Sequence, residues 1–87
     1  MIQSIPKAFR LSPSKEKAVI QYLADGLTSA REISEKLIEH HGADNKRFLT
    51  GKADVYIHVC FFLDSLVDLG VARFMTGDSD DRIYKFK

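Results

Sequence analysis

Three histidines and a single cysteine are the side chains of this sequence with the widest chemical range, and their spacing limits what they can do. His58 and Cys60 stand two positions apart in a segment of helical periodicity. On a helix they diverge by about 200° and cannot grip one ion. His40 and His41 diverge by about 100°, which disfavours a shared tetrahedral zinc site. No metal site and no cofactor are expected. Catalysis is not expected either. The chain has no GxSxG elbow, no phosphate-binding glycine loop and no carboxylate pair set among apolar neighbours. A chain of 87 residues also leaves little room for a pocket. The residues point to binding, not to turnover.

The cations suggest what is bound. Residues 1–52 carry nine Lys/Arg against six Asp/Glu, a balance of +3, and residues 53–87 carry four against six, a balance of −2. A polyanion meets an attractive N-terminal part and a mildly repulsive C-terminal part. Lys46, Arg47 and Lys52 cluster just before and at the start of the third helical segment, where the helix N-terminus adds partial positive charge. Phosphate neutralisation and an ordinary solvated loop both fit them. Asp78, Asp80 and Asp81 make an acidic turn that reads as a solvated, charge-capped tip, unlike the basic tip that grips a groove.

Around these residues stand five elements. Residues 1–11 form an N-terminal extension, and residues 12–87 form one domain. Ser12-Pro13 opens helix 1, with Ser12 as N-cap and Pro13 at the first helical position. Val19, Ile20 and Leu23 give its apolar face, and Gly26 stops it after residue 24. Ser29-Ala30-Arg31-Glu32 is a capping box for helix 2, with Ile33, Leu37 and Ile38 facing the core and Gly42 closing it near residue 41. Helix 3 runs from about Lys52 to Leu69, with Val55, Val59, Phe62, Leu63 and Leu66 on one stripe. Residues 71–75 and 82–86 then alternate as strands around a turn-rich tip, a β-hairpin. A lone hairpin is marginal in water, so it must pack on the helices. Three helices followed by a C-terminal β-hairpin wing is the order of a winged helix-turn-helix, an α+β fold.

Over roughly residues 12–86 the chain resembles the DNA-binding domains of the ferric-uptake-regulator family and other winged-helix repressors. The residues that carry the resemblance are Thr28-Ser29-Ala30-Arg31-Glu32-Ile33 with Leu37, then Val55-Tyr56, then Leu66-Val67-Asp68-Leu69-Gly70-Val71-Ala72, and Arg82-Ile83-Tyr84. The resemblance implies that helix 3 enters the DNA major groove while helix 2 crosses the backbone. Where that family has Thr-Val-Tyr-Arg, this chain has Asp54-Val55-Tyr56-Ile57, an acid and an apolar residue at the two polar positions. No counterpart of the metal-binding dimerisation domain is found, so metal sensing is not implied.

The expectation is a homodimeric DNA-binding transcriptional regulator. Duplex DNA is met by Arg31, Lys46, Arg47, Lys52, Tyr56, Arg73 and Arg82. The alternative is a winged-helix module that binds protein and does not read DNA. The outer face of helix 3 is expected to hold Asp54, Ile57, His58, Phe61, Asp64, Ser65 and Asp68, and its three acids oppose phosphate. Ile57 and Phe61, one turn apart, are an exposed apolar pair. They fit packing beneath the extension or a second subunit, a partner protein, or thymine methyls. Ile5 and Phe9 are the matching interface residues of the extension. No apolar run approaches the roughly 20 residues of a membrane span, and one cysteine makes no internal disulfide. A cytoplasmic location is expected.

Overall fold

Helix α1, Pro13–Ala24, begins where Pro13 supplies a preset φ and no surplus N–H, and its first bond runs from the Glu16 N–H to the Ser12 carbonyl at 2.9 Å. The Ser12 hydroxyl does not cap the helix as expected; it lies 3.3 Å from the Ser14 hydroxyl instead. Helix α2 is Ala30–His40, and helix α3 is Val55–Asp68. The computed structural model describes residues 11–43, 54–77 and 81–86. Lys52, the expected start of α3, lies outside them.

α1 and α3 end alike. Gly26 and Gly70 take φ of 99° and 78°, a left-handed conformation that glycine adopts without a Cβ clash. The following N–H then folds back: Leu27 donates to the Tyr22 carbonyl and Val71 to the Leu66 carbonyl, each at 2.9 Å. This Schellman ending satisfies carbonyls that the helix leaves unpaired. At Gly70 it also turns the chain directly into the hairpin.

Strands β1, Ala72–Gly77, and β2, Arg82–Phe86, pair antiparallel. Ala72 faces Phe86, Arg73 faces Lys85, and Phe74 faces Tyr84; a bulge at Met75 then shifts the register so that Thr76 faces Ile83. β1 runs to Gly77, two residues beyond the expected end. β2 has a second neighbour that the sequence did not disclose. Ser29 forms an antiparallel bridge with Ile83, and the Tyr84 N–H donates to the Thr28 carbonyl at 2.9 Å. The segment between α1 and α2 thus lies along β2 and ties the hairpin to the helices.

The core forms where these elements meet. Val19 and Leu23 of α1, Ile33 and Leu37 of α2, and Val59 and Leu63 of α3 surround Tyr84, all at most 2% exposed. The whole expected stripe of α3 is buried, whereas Ile20 and Ile38 are half-buried at the core's edge. The outcome is three helices followed by a two-stranded antiparallel hairpin. Among the described residues no helix is long and apolar enough to cross a membrane.

Candidate nucleic-acid interface

α3 presents one face to the core and leaves Ile57, His58, Phe61, Asp64 and Ser65 half-buried, with Asp68 exposed. Ile57 and Phe61, read from the sequence as an exposed pair, are thus half-buried on that side of the helix. Tyr56 is the exception among the expected contacts. It is 7% exposed and belongs to the core, so its ring is not offered to bases. The reason is a second buried row, Tyr56–Val59–Leu63, one helical turn and then two from Tyr56.

The acids behave differently from free surface charges. The Tyr84 hydroxyl donates to Asp64 Oδ1 at 2.5 Å, and Arg82 Nη2 stands 3.5 Å from the same oxygen. The Arg82 guanidinium also lies over the Phe74 ring, 4.8 Å from its centroid, and 5.7 Å from that of Tyr84. Arg82, expected at phosphate, is thus committed to neutralising Asp64 and covering two aromatic rings. The α3 face loses part of one acid's field and the hairpin loses one free cation.

Asp81 corrects the acidic-turn expectation. It is half-buried and works as a clip between hairpin and α2: one carboxylate oxygen accepts from the Ser29 hydroxyl, the other from the N–H of Arg31 at 2.9 Å and of Arg82 at 2.8 Å. Ser29 keeps its own cap, accepting the Glu32 N–H at 3.1 Å. An anion therefore already occupies the first turn of α2, where the helix end favours negative charge. The backbone there is not open to a phosphate. The exposed Arg31 side chain remains available.

Arg73 and Lys85 are both exposed and directly opposite one another across the hairpin, on the face away from Ala72 and Tyr84. Like charges so placed repel. Ile57 and Phe61 join Tyr56, Cys60, Asp64 and Arg82 around an open groove between α3 and the start of β2. Lys46, Arg47, Lys52, Ile5 and Phe9 lie outside the described residues.

His41 and Cys60 each sit against an aromatic or core neighbour. His41 Nε2 lies 3.0 Å from the Tyr22 hydroxyl, its ring edge-on to the tyrosine, so this pair joins α1 to the end of α2. Among the described residues no group of three potential ligands comes together. Burial pushes the Cys60 thiol up to about 11, against the opposing influence of Tyr56 and Arg82. Two units above its ordinary value of 9.0 leaves about a hundredfold less thiolate at neutral pH. In a timed reaction with a thiol reagent at pH 8, Cys60 is expected to react roughly tenfold more slowly folded than in urea, since the more basic thiolate is also the better nucleophile. Equal rates would show that the thiol is not held in the core's edge.

Residues 11–85, which take in α1 to β1 and all of β2 but Phe86, match the family described as protein of unknown function DUF3895. The chain belongs to the DUF3895 family. No curated protein and no solved structure matches it. The span of the DUF3895 match begins at Leu11, the first buried residue among the described ones, and ends one residue after Tyr84.

Proposed function

We propose that this DUF3895 domain is a winged helix-turn-helix that binds duplex DNA as a homodimeric transcriptional regulator. The observation that carries the fold part is the Thr28–Ser29 segment along β2. It sets an isolated bridge beside β2 between α1 and α2, which supports a helix, strand, helix, helix, hairpin order like that of a winged helix. In that fold α3 is the helix presented to the major groove, whose width admits one helix.

Electrostatics supports the reading more than the sequence alone did. Of the acids Asp54, Asp64 and Asp68 along the outer side of α3, Asp64 is engaged by Arg82 and Tyr84, and Asp81 is spent on α2. The cations assigned to DNA are Arg31 and Arg73, both exposed, with Lys46, Arg47 and Lys52 from the stretch preceding α3. Tyr56 and Arg82 are not assigned.

A protein-binding module is the second reading, favoured by the groove of Ile57 and Phe61 and by exposed Phe74 and Met75 on the hairpin. The two readings separate on the double variant Ile57→Ser/Phe61→Ser. Both side chains are half-buried outside the core, so the melting temperature should change by only a few degrees. On the DNA reading, the variant loses preference for its best duplex while its attraction to arbitrary duplex at low salt persists, because phosphate contacts position and base contacts specify. A variant that keeps sequence preference in full removes α3 from the reading role.

A further inference from the structure

On the side of the domain formed by α1 and α3, an open apolar groove has Pro13, Ile20, Phe62 and Leu66 as its lining, with Glu16 and Lys17 at its rim. Phe62 and Leu66 are almost wholly buried by the domain's own packing, and Ile20 is half-buried. Leu69, one turn beyond Leu66, is 54% exposed and continues the same apolar row. Pro13, Ile20 and Leu69 leave apolar surface on this side that the domain's own packing does not cover.

The rim decides what covers it. Glu16 and Lys17 carry one charge of each sign, and neither has an ion-pair partner among the described residues. A two-fold axis brings a patch against itself, so a patch with balanced opposite charges is compatible with its own copy. Antiparallel α1 helices set Glu16 of one protomer beside Lys17 of the other, twice.

We propose that the α1–α3 groove seats a second copy of this chain through an isologous α1–α1 contact. Pro13 and Ile20 of each protomer fill the partner's groove, and two Glu16–Lys17 pairs frame it. The pairing rests on the homodimer reading, and it leaves the outer face of α3 open in both copies.

Sedimentation equilibrium of the full chain and four variants tests it. The wild type, 9.9 kDa per chain, should sediment near 20 kDa at micromolar concentration. Glu16→Lys alone and Lys17→Glu alone each put two like-charge contacts at the interface, and each should weaken the dimer about tenfold. The double reversal Glu16→Lys/Lys17→Glu should restore it. Ile20→Glu should give monomers, with circular dichroism confirming the fold. Both rim residues lie on the helix surface, so their variants stay folded and informative. A dimer indifferent to both reversals keeps the homodimer but overturns this interface. A wild-type monomer at all concentrations overturns both, and leaves the groove to a different protein. A double reversal as weak as the single ones also refutes the pairing.

Discussion

Replacing Asp81 by alanine should lower stability by about 2 kcal/mol, although the residue lies beside the tip of a surface hairpin. Its carboxylate accepts from the Ser29 hydroxyl and from the Arg31 and Arg82 amides, joining residues about fifty positions apart. Hydrogen bonds to a charged group are worth roughly 1.5–3 kcal/mol each when removal strands the partner. Here the stranded donors lie near solvent and water recovers part of that. For a domain of this size, about 2 kcal/mol corresponds to a drop of roughly 8–16 °C in melting temperature. Asp81→Asn, which keeps acceptor capacity but loses the charge, should lose about half as much. Asp68→Ala, at the exposed end of α3, serves as the control and should be nearly silent. Equal melting of Asp81→Ala and wild type would show that the clip does not hold the hairpin on α2.

Tyr84→Ala should remove a large share of the domain's stability. The side chain is fully buried among all three helices, its hydroxyl bonds Asp64, and its ring meets Phe74 edge-on at 5.5 Å. Truncating a buried aromatic residue costs about 3–5 kcal/mol, against roughly 4–13 kcal/mol for the whole of a domain this long. Tyr84→Phe keeps the packing and removes the hydrogen bond to a carboxylate, so about 1.5–3 kcal/mol is expected in a urea titration.

The same tyrosine sets the alkaline limit. Burial, then the bond to Asp64, holds the Tyr84 hydroxyl well above its ordinary 10.0, and burial raises Tyr56 and Cys60 likewise. Above about pH 9 the unfolded chain releases protons that the folded chain retains. The native state then binds more protons than the unfolded one, and stability falls as pH rises. It should be level between about pH 7 and 9 in this respect and decline beyond, with Tyr84→Phe declining less steeply. A stability curve that rises through pH 10 would contradict the burial of these groups.

The parts of this fold that local rules govern were legible before the structure. The α3 stripe from Val55 to Leu66 follows helical periodicity, and Gly26 and Gly70 sit where a left-handed ending is needed. α1 has the bounds read for it because proline and glycine punctuate both its ends. What was not legible depends on distant partners. Thr28 and Ser29 are too short a stretch to show alternation, and only β2 beside them gives them a bridge partner. Asp81 looks like one more acid in a polar turn until α2 places its amides around it. Arg82 looks like a free cation for the same reason. Tyr56 was recoverable in part: counting both rows of the α3 stripe, Tyr56 with Val59 and Leu63 as well as Val55 with Phe62 and Leu66, marks it as core. At the interface, the outer phase of Ile57 and Phe61 followed from spacing, whereas the engagement of Asp64 needed the hairpin in place.

The central claim is that this domain attracts duplex DNA through phosphate, and a salt titration measures that attraction directly. A fluorescent random duplex is titrated with wild-type protein from low to physiological salt, and log K is plotted against log salt. Each neutralised phosphate contributes a slope of about −0.9 by releasing condensed counterion. Lys46, Arg47 and Lys52 of both protomers in a dimer contribute roughly −5, and any phosphate contact by Arg31 or Arg73 steepens the slope further. Changing Lys46 and Arg47 to alanine should flatten that slope by several units for all sequences alike. Binding that is measurable at low salt and falls steeply along this slope is the predicted result. No affinity for duplex DNA at the lowest salt, where non-specific attraction is strongest, would contradict it and favour the protein-binding reading.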